Sequence, residues 1–208
     1  MENNQEKIWD EIAPEWYEFK TNKKGQENLE FVKNQTGRIL DLGGGSGRYL
    51  VNKEDLKFYI VDFSQEMLNL AEKHAKNLGI KEGNIETKKA NLWEIPYEED
   101  FFDSVFCIAA IHCIKDKEKR KKKLKEIYRV LKPKGKARIV VWNKESGRFK
   151  NKQKEDFVKW RDKGKRFYYF YDEKELEKEI LNAGFKVIKQ SSTFDGRPHH
   201  SIVFIVEK

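Results

Sequence analysis

Cysteine is almost missing from the chain: 2 of 208 residues, Cys107 and Cys113. Two thiols cannot build a disulfide framework or a four-ligand zinc site, so both read as buried apolar thiols. No run of about 18 apolar residues occurs, so no membrane-spanning helix is expected. The opening Met1-Glu2-Asn3-Asn4-Gln5-Glu6 lacks the apolar stretch of a secretion signal, which points to a cytoplasmic protein. Internal repeats and low-complexity linkers are lacking too. A length of 208 residues suits one domain. His199 and His200 have no metal-ligating company in sequence, and no metal site is expected.

Charge is what the chain has in excess. Lys and Arg number 43 against 35 Asp and Glu, a formal net charge of +8, and charged residues make up 38% of the chain. Both signs are abundant, so this is not a disordered basic tail. The surplus serves either solubility or a polyanionic partner such as RNA. Lys119 to Lys123 is an unbroken run of cations on an expected helix and reads as a solvated face. Arg148, Lys150, Lys152, Lys154 and Lys163 are better placed to meet phosphate.

Apolar periodicity gives the order of elements. Ile8, Ile12 and Trp16 share one helical face, and Pro14 is expected to bend or break that helix. A polar loop runs through Lys24-Gly25, and residues 26–33 form a helix with Leu29, Phe31 and Val32 inward. Residues 38–42 and 58–61 are short buried strands. Ser64 caps a helix from Gln65 to Leu78, stopped by Gly79. Residues 84–88 form a third strand, and 104–111 is a continuous apolar run expected to be a central strand. A helix over 117–131 turns Leu124, Ile127, Tyr128 and Leu131 inward. Residues 132–135 form a turn before a strand over 136–142. A helix over 173–182 precedes two strands, 185–190 and 201–206, joined by a loop and expected to pair antiparallel. Strands alternating with helices imply a mostly parallel α/β sheet with helices on both faces and an antiparallel C-terminal strand. Residues 143–171 break the alternation and read as an insertion over the strand ends.

Open parallel sheets bind ligands beyond the carboxyl ends of their strands. Asp41-Leu42-Gly43-Gly44-Gly45-Ser46-Gly47 sits at such an end. Glycine there permits positive φ and close ligand approach. The spacing is D-x-G-x-G-x-G, and Arg48 occupies the third glycine position of a dinucleotide loop. Asp41 would repel a pyrophosphate and favour a cation. Asp62 ends the next strand, 21 positions later, where a carboxylate can accept from ribose hydroxyls.

These residues resemble the S-adenosylmethionine loop of class I methyltransferases. Residues 95–103 resemble the LPFxDxSFD segment of that class, and residues 131–135 its LKPGG turn. The resemblance implies a Rossmann-like class I methyltransferase fold and S-adenosyl-L-methionine as cofactor. Asp41, Gly43, Gly45, Gly47 and Asp62 would then hold the cofactor, with Ala109 at the end of the facing strand. Asn91 stands where the class often has Asp and would accept from the adenine amine. Phe63 and Leu92 would flank the adenine, or simply pack beside the loop.

Further segments resemble the tRNA wobble-uridine methyltransferases, which esterify a carboxymethyl group on the uridine 5-position. Residues 9–13 are similar to their YNEIA entry, 108–112 to their IAVIHH, 140–142 to their YVW, and 166–171 with Glu175-Leu176 to their RYYHVF…EL. Lys159-Trp160 falls at their PW. Cys113 replaces a His, Tyr169 replaces another, Lys20 stands at an expected Arg, and residues 21–25 lack their KPWP. The resemblance implies a single methyltransferase domain over 1–208, with an N-terminal helical segment (1–35) and a substrate-side insertion (143–171). It implies Arg166 as clamp for the carboxylate, Lys20 as added charge, and His112 and Tyr168 orienting the nucleotide. It also implies tRNA and a small zinc-binding activator protein as partners. Two other functions stand beside this one. A small-molecule methyltransferase shares the same core motifs, and a non-catalytic cofactor- or RNA-binding subunit could keep the loop alone.

Overall fold

The computed structural model describes residues 2–21, 25–194 and 197–208. Alternation along each strand decides which face its side chains meet. In β1 (Gly37–Leu42) and β2 (Leu56–Asp62), Ile39, Phe58 and Ile60 turn to one face, and Leu40, Leu42, Tyr59 and Val61 to the other. The first face is covered by α2 (Gln26–Lys33) through Phe31 and Val32, and by α3 (Gln65–Asn77) through Leu68, Ala71 and Ala75. The second is covered by α4 (Lys117–Val130) through Leu124 and Ile127, and by α5 (Glu173–Asn182) through Leu176 and Ile180. Each such fully buried aliphatic side chain contributes about 1.5–3 kcal/mol.

The seven-stranded sheet has the order β3-β2-β1-β4-β5-β9-β8, where β3 is Ile85–Lys89, β4 Phe102–Ile108, β5 Leu131–Trp142, β8 Lys186–Phe194 and β9 Arg197–Glu207. Strands β1 to β5 are parallel; β9 runs antiparallel to β5, and β8 antiparallel to β9. The strand order reverses between β1 and β4, where Asp41 is in register with Ile60 on one side and Phe106 on the other. The carboxyl ends flanking that reversal are the ligand crevice of such sheets. The 132–135 turn is present as an excursion within β5: register jumps from Phe102↔Leu131 to Ser104↔Lys136, with Lys134 at φ 65°.

Several expectations need correction. Helix α1 (Glu2–Thr21) runs through Pro14 without a break. Ile12 and Ala13 are fully buried before the proline and Trp16 is packed after it, so tertiary contacts hold both halves. The central strand ends at Ile108, not 111, because Ala109 takes φ 57° and the chain enters a 3₁₀ turn over Ile111–Cys113. The expected C-terminal loop is mostly strand, with His199 and His200 inside β9; residues 195–196 lie outside the described residues, as do 22–24 of the first polar loop. The 119–123 cation run is not a solvated face: Arg120 is 2% exposed and Lys123 0%. A helix turns every 3.6 residues, so five consecutive positions must cross the stripe that Leu124 and Ile127 occupy. Leu29 and Tyr128 are only partly buried.

Residues 143–171 form an antiparallel hairpin, β6 (Glu155–Trp160) and β7 (Lys163–Tyr169), preceded by a loop. Its Phe167 and Tyr169 join the main core. Its Tyr168, with Phe170 beyond β7, packs with Phe149 and Trp142 instead.

Candidate active site

The glycine loop leaves β1 with Gly43 at φ 76°, Gly45 at 54° and Gly47 at 71°. A Cβ on Gly43 would lie 2.4 Å from the Ala110 Cβ, and one on Gly44 2.4 Å from the Asp41 carboxyl carbon. The loop can therefore run only without side chains at these points. Asp62 fastens it: Oδ2 accepts from Gly45 N–H at 2.9 Å and Oδ1 from Ser64 N–H at 3.0 Å. A carboxylate has about four lone-pair positions, so further acceptor capacity remains.

Asp41 and Asp62 are both buried, 3% and 6% exposed. Burial, then the nearby Asp62, push the Asp41 carboxyl well above the usual carboxylate range, and Lys123 partly opposes this. Burial also raises Asp62, against the backbone donors of Ser64 and Gly45. Two buried carboxyls that act on one another favour a cationic ligand, which would lower the cost of ionising both. These acceptors thus fit a cofactor that carries positive charge and a sugar. Leu92 is buried against the loop, 3.4 Å from where a Gly43 Cβ would stand, and belongs to the main core. Phe63 is half-buried, Asn91 exposed and Ala109 exposed.

Helix α1 closes on this region. Asp10 Oδ1 accepts from Ser64 Oγ at 2.5 Å and from Glu66 N–H at 3.2 Å, at the start of α3. Glu6 pairs with Lys89 at 2.6 Å, at the end of β3.

A second set of side chains gathers between α1, the hairpin and the end of β5. Arg166 is 3% exposed. Its guanidinium carbon lies 5.1 Å from the Trp9 ring, 5.0 Å from Trp16, 5.2 Å from Trp160 and 5.2 Å from Tyr168. Its Nε and Nη1 are buried with no hydrogen-bond partner among the described residues. Four ring faces stabilise the charge but cannot accept its N–H groups in plane.

His112 is fully buried between Trp142, 5.1 Å away, and Tyr168, 5.5 Å away. Its Nδ1 accepts from Trp142 N–H at 3.2 Å. Nδ1 is therefore unprotonated, the proton sits on Nε2, and Nε2 has no partner among the described residues. Burial, with the Lys123 charge adding to it, pushes the imidazole pKa down to about 3. The ring is a neutral donor. Tyr168 stacks on Trp142 with centroids 4.2 Å apart, and burial lifts its phenol far above the usual range. Lys20 reaches the rim, with Nζ 4.9 Å from the Trp16 ring centroid.

The structure brings Arg166, Tyr168 and His112 together and places Lys20 against Trp16. It adds what residue types alone did not show: the Trp9–Trp16–Trp160 cage, the Trp142 platform, Asp10 on α3 and buried Lys123. Trp160 Nε1 and Lys123 Nζ are, like Arg166 and His112, buried donors without partners among the described residues. Three of the five insertion cations are already engaged by carboxylates: Lys152 by Asp156, Lys154 by Asp172 and Glu175, and Lys163 by Glu15. No helix is long and apolar enough to cross a membrane, and no group of metal ligands occurs among the described residues.

Residues 39–135 match the family model described as a methyltransferase domain. An uncharacterized methyltransferase of Schizosaccharomyces pombe is 35% identical over 119 residues, 56% of this chain and 43% of that protein. A ubiquinone/menaquinone biosynthesis C-methyltransferase of Vibrio cholerae is 31% identical over 112 residues, 51% of this chain and 42% of that protein. The chain spans less than half the length of these curated relatives. A methyltransferase solved in complex with the Trm112 methyltransferase activator of Haloferax volcanii superposes with a TM-score of 0.68 at 16% identity, covering 96% of each chain. The fold is thus that of S-adenosylmethionine-dependent methyltransferases.

Proposed function

We propose that this chain, whose residues 39–135 match a methyltransferase domain and whose fold is that of S-adenosylmethionine-dependent methyltransferases, transfers a methyl group from that cofactor to a carboxylate oxygen. We take the substrate to be the carboxymethyl group of a wobble uridine in tRNA. One observation carries the reading: the buried polar atoms of the Arg166 cluster that have no partner among the described residues are all donors, namely Arg166 Nε and Nη1, Trp160 Nε1 and His112 Nε2. Buried donors without acceptors cost roughly 1–3 kcal/mol each, and more when charged. An anionic substrate group that accepts from them removes that cost.

In this reading Asp41 meets the cofactor's ammonium, and Asp62, Asn91, Phe63 and Leu92 meet its nucleoside. The cofactor supplies an electrophilic methyl on a positively charged sulfur. Arg166 and His112 hold one carboxylate oxygen and leave the other to attack. A carboxylate is already a nucleophile, so no proton moves and no general base is needed. A neutral His112 serves here better than an imidazolium, because a second full charge would stabilise the resting carboxylate and slow attack. The tryptophans exclude water from the anion.

The neighbour solved with an activator supports a small protein partner for this chain as well. A second reading, a small molecule as acceptor, is favoured by the Vibrio cholerae relative, whose name makes it a C-methyltransferase of ubiquinone/menaquinone biosynthesis. Labelled cofactor incubated with bulk tRNA, followed by nucleoside analysis, separates the two. The expected product is the methyl ester of the carboxymethyl nucleoside. Arg166→Ala should abolish it while cofactor affinity stays. Label in metabolites but not in tRNA would refute the RNA substrate.

A further inference from the structure

We propose that Arg148, His200 and Lys20 form a phosphodiester-binding rim at the mouth of the Arg166 cage, holding the backbone beside the target nucleotide. This rests on the RNA reading above. The three residues come from the loop before the hairpin, from β9 and from the end of α1. Trp142 ends β5 in register with Ser201, and Asn143 N–H donates to the His200 carbonyl at 3.0 Å, which puts His200 beside the platform. The Arg148 guanidinium carbon lies 5.8 Å from the Trp142 ring and 5.2 Å from Phe149. The His199 and His200 rings are 3.9 Å apart. Burial lowers the His200 pKa, and the charges of His199, Arg148 and Lys20 lower it further, so the cations of the rim share one electrostatic neighbourhood.

The rings connect this rim to the inner donors. The Trp16 ring centroid lies 4.9 Å from Lys20 Nζ and 5.0 Å from the Arg166 guanidinium carbon. Trp142 touches both sets: its ring centroid is 5.8 Å from the Arg148 guanidinium carbon, 4.2 Å from the Tyr168 ring and 5.1 Å from the His112 ring. The inner donors and the rim thus share the Trp16 and Trp142 rings, which lets one nucleotide reach both with its base substituent and its backbone. Lys152, Lys154 and Lys163 already meet carboxylates. Arg148, exposed, has no ion pair among the described residues and is open to phosphate.

The test uses an anticodon stem-loop RNA bearing the carboxymethyl nucleoside and, separately, that nucleoside without phosphate. Binding is followed by fluorescence anisotropy across a salt series, and ester formation by label. In Arg148→Ala/His200→Ala the RNA should bind about tenfold more weakly. The salt slope should fall by about 0.7 for each single-strand phosphate that the variant no longer neutralises. Esterification of the bare nucleoside should be unchanged, and Arg148→Lys should restore most of the binding. An unchanged salt slope with intact esterification overturns the rim and leaves the ester chemistry standing. A reduced slope without any ester product supports the rim and refutes the ester chemistry. A wild-type protein that binds no RNA overturns the rim.

Discussion

Arg166→Met separates a functional guanidinium from a structural one. Burying an uncompensated charge costs a fold several kcal/mol. The four ring faces at 5.0–5.2 Å offset about 0.5–2 kcal/mol each. These nearly cancel, and methionine keeps sulfur–aromatic contacts in the same cage. Stability is therefore expected to change by between zero and about +2 kcal/mol. At about 2–4 °C per kcal/mol for a chain of this size, the melting temperature holds or rises. Catalysis moves the other way. Charge-assisted hydrogen bonds contribute about 1.5–3 kcal/mol each, so losing two removes at least about 3 kcal/mol, or two decades in rate. Thermal melts run beside labelled ester formation and cofactor titration read both. A variant that melts several degrees lower and still forms ester would refute the reasoning, because the guanidinium would then be part of the packing.

Three further outcomes follow from the geometry. Gly43→Ala must place a Cβ 2.4 Å from the Ala110 Cβ at φ 76°, and should lose more than about 2 kcal/mol in denaturant titration, while Gly83→Ala, with nothing within 4 Å, serves as the harmless control. Asp62→Ala removes the acceptor of Gly45 and Ser64, and should weaken cofactor binding at least about tenfold by calorimetry. His112 has a folded-state pKa of about 3 against an ordinary 6.5, so its contribution is complete above pH 6.5 and is lost as pH falls towards 3. His112→Asn should flatten that acid limb of the stability profile. Asp41, raised above its ordinary value, acts in the opposite sense, since it favours the folded state while protonated.

What could be read from the chain was what repeats with a local period or a fixed spacing. Ser64 accepts from Met67 N–H as a helix cap should, at 3.2 Å, and Asp41 to Gly47 makes the bend its glycines demand. Long-range compensation was not readable. Pro14 looked disruptive because nothing nearby announces that Ile12, Ala13 and Trp16 are packed against other elements. Lys123 looked solvated because its charge hid its position on the stripe of Leu124 and Ile127. The tryptophan cage joins positions 9, 16 and 160, and no local pattern relates a helix to a hairpin so far along the chain.

Helix α1 holds Ser64 and Glu66 through Asp10, and shields Arg166 through Trp9 and Trp16, within two turns of backbone. Lifting it far enough to release one of these grips withdraws the other. The two compartments are therefore coupled through one helix: a change that loosens the Asp10 contacts also loosens the tryptophans over Arg166.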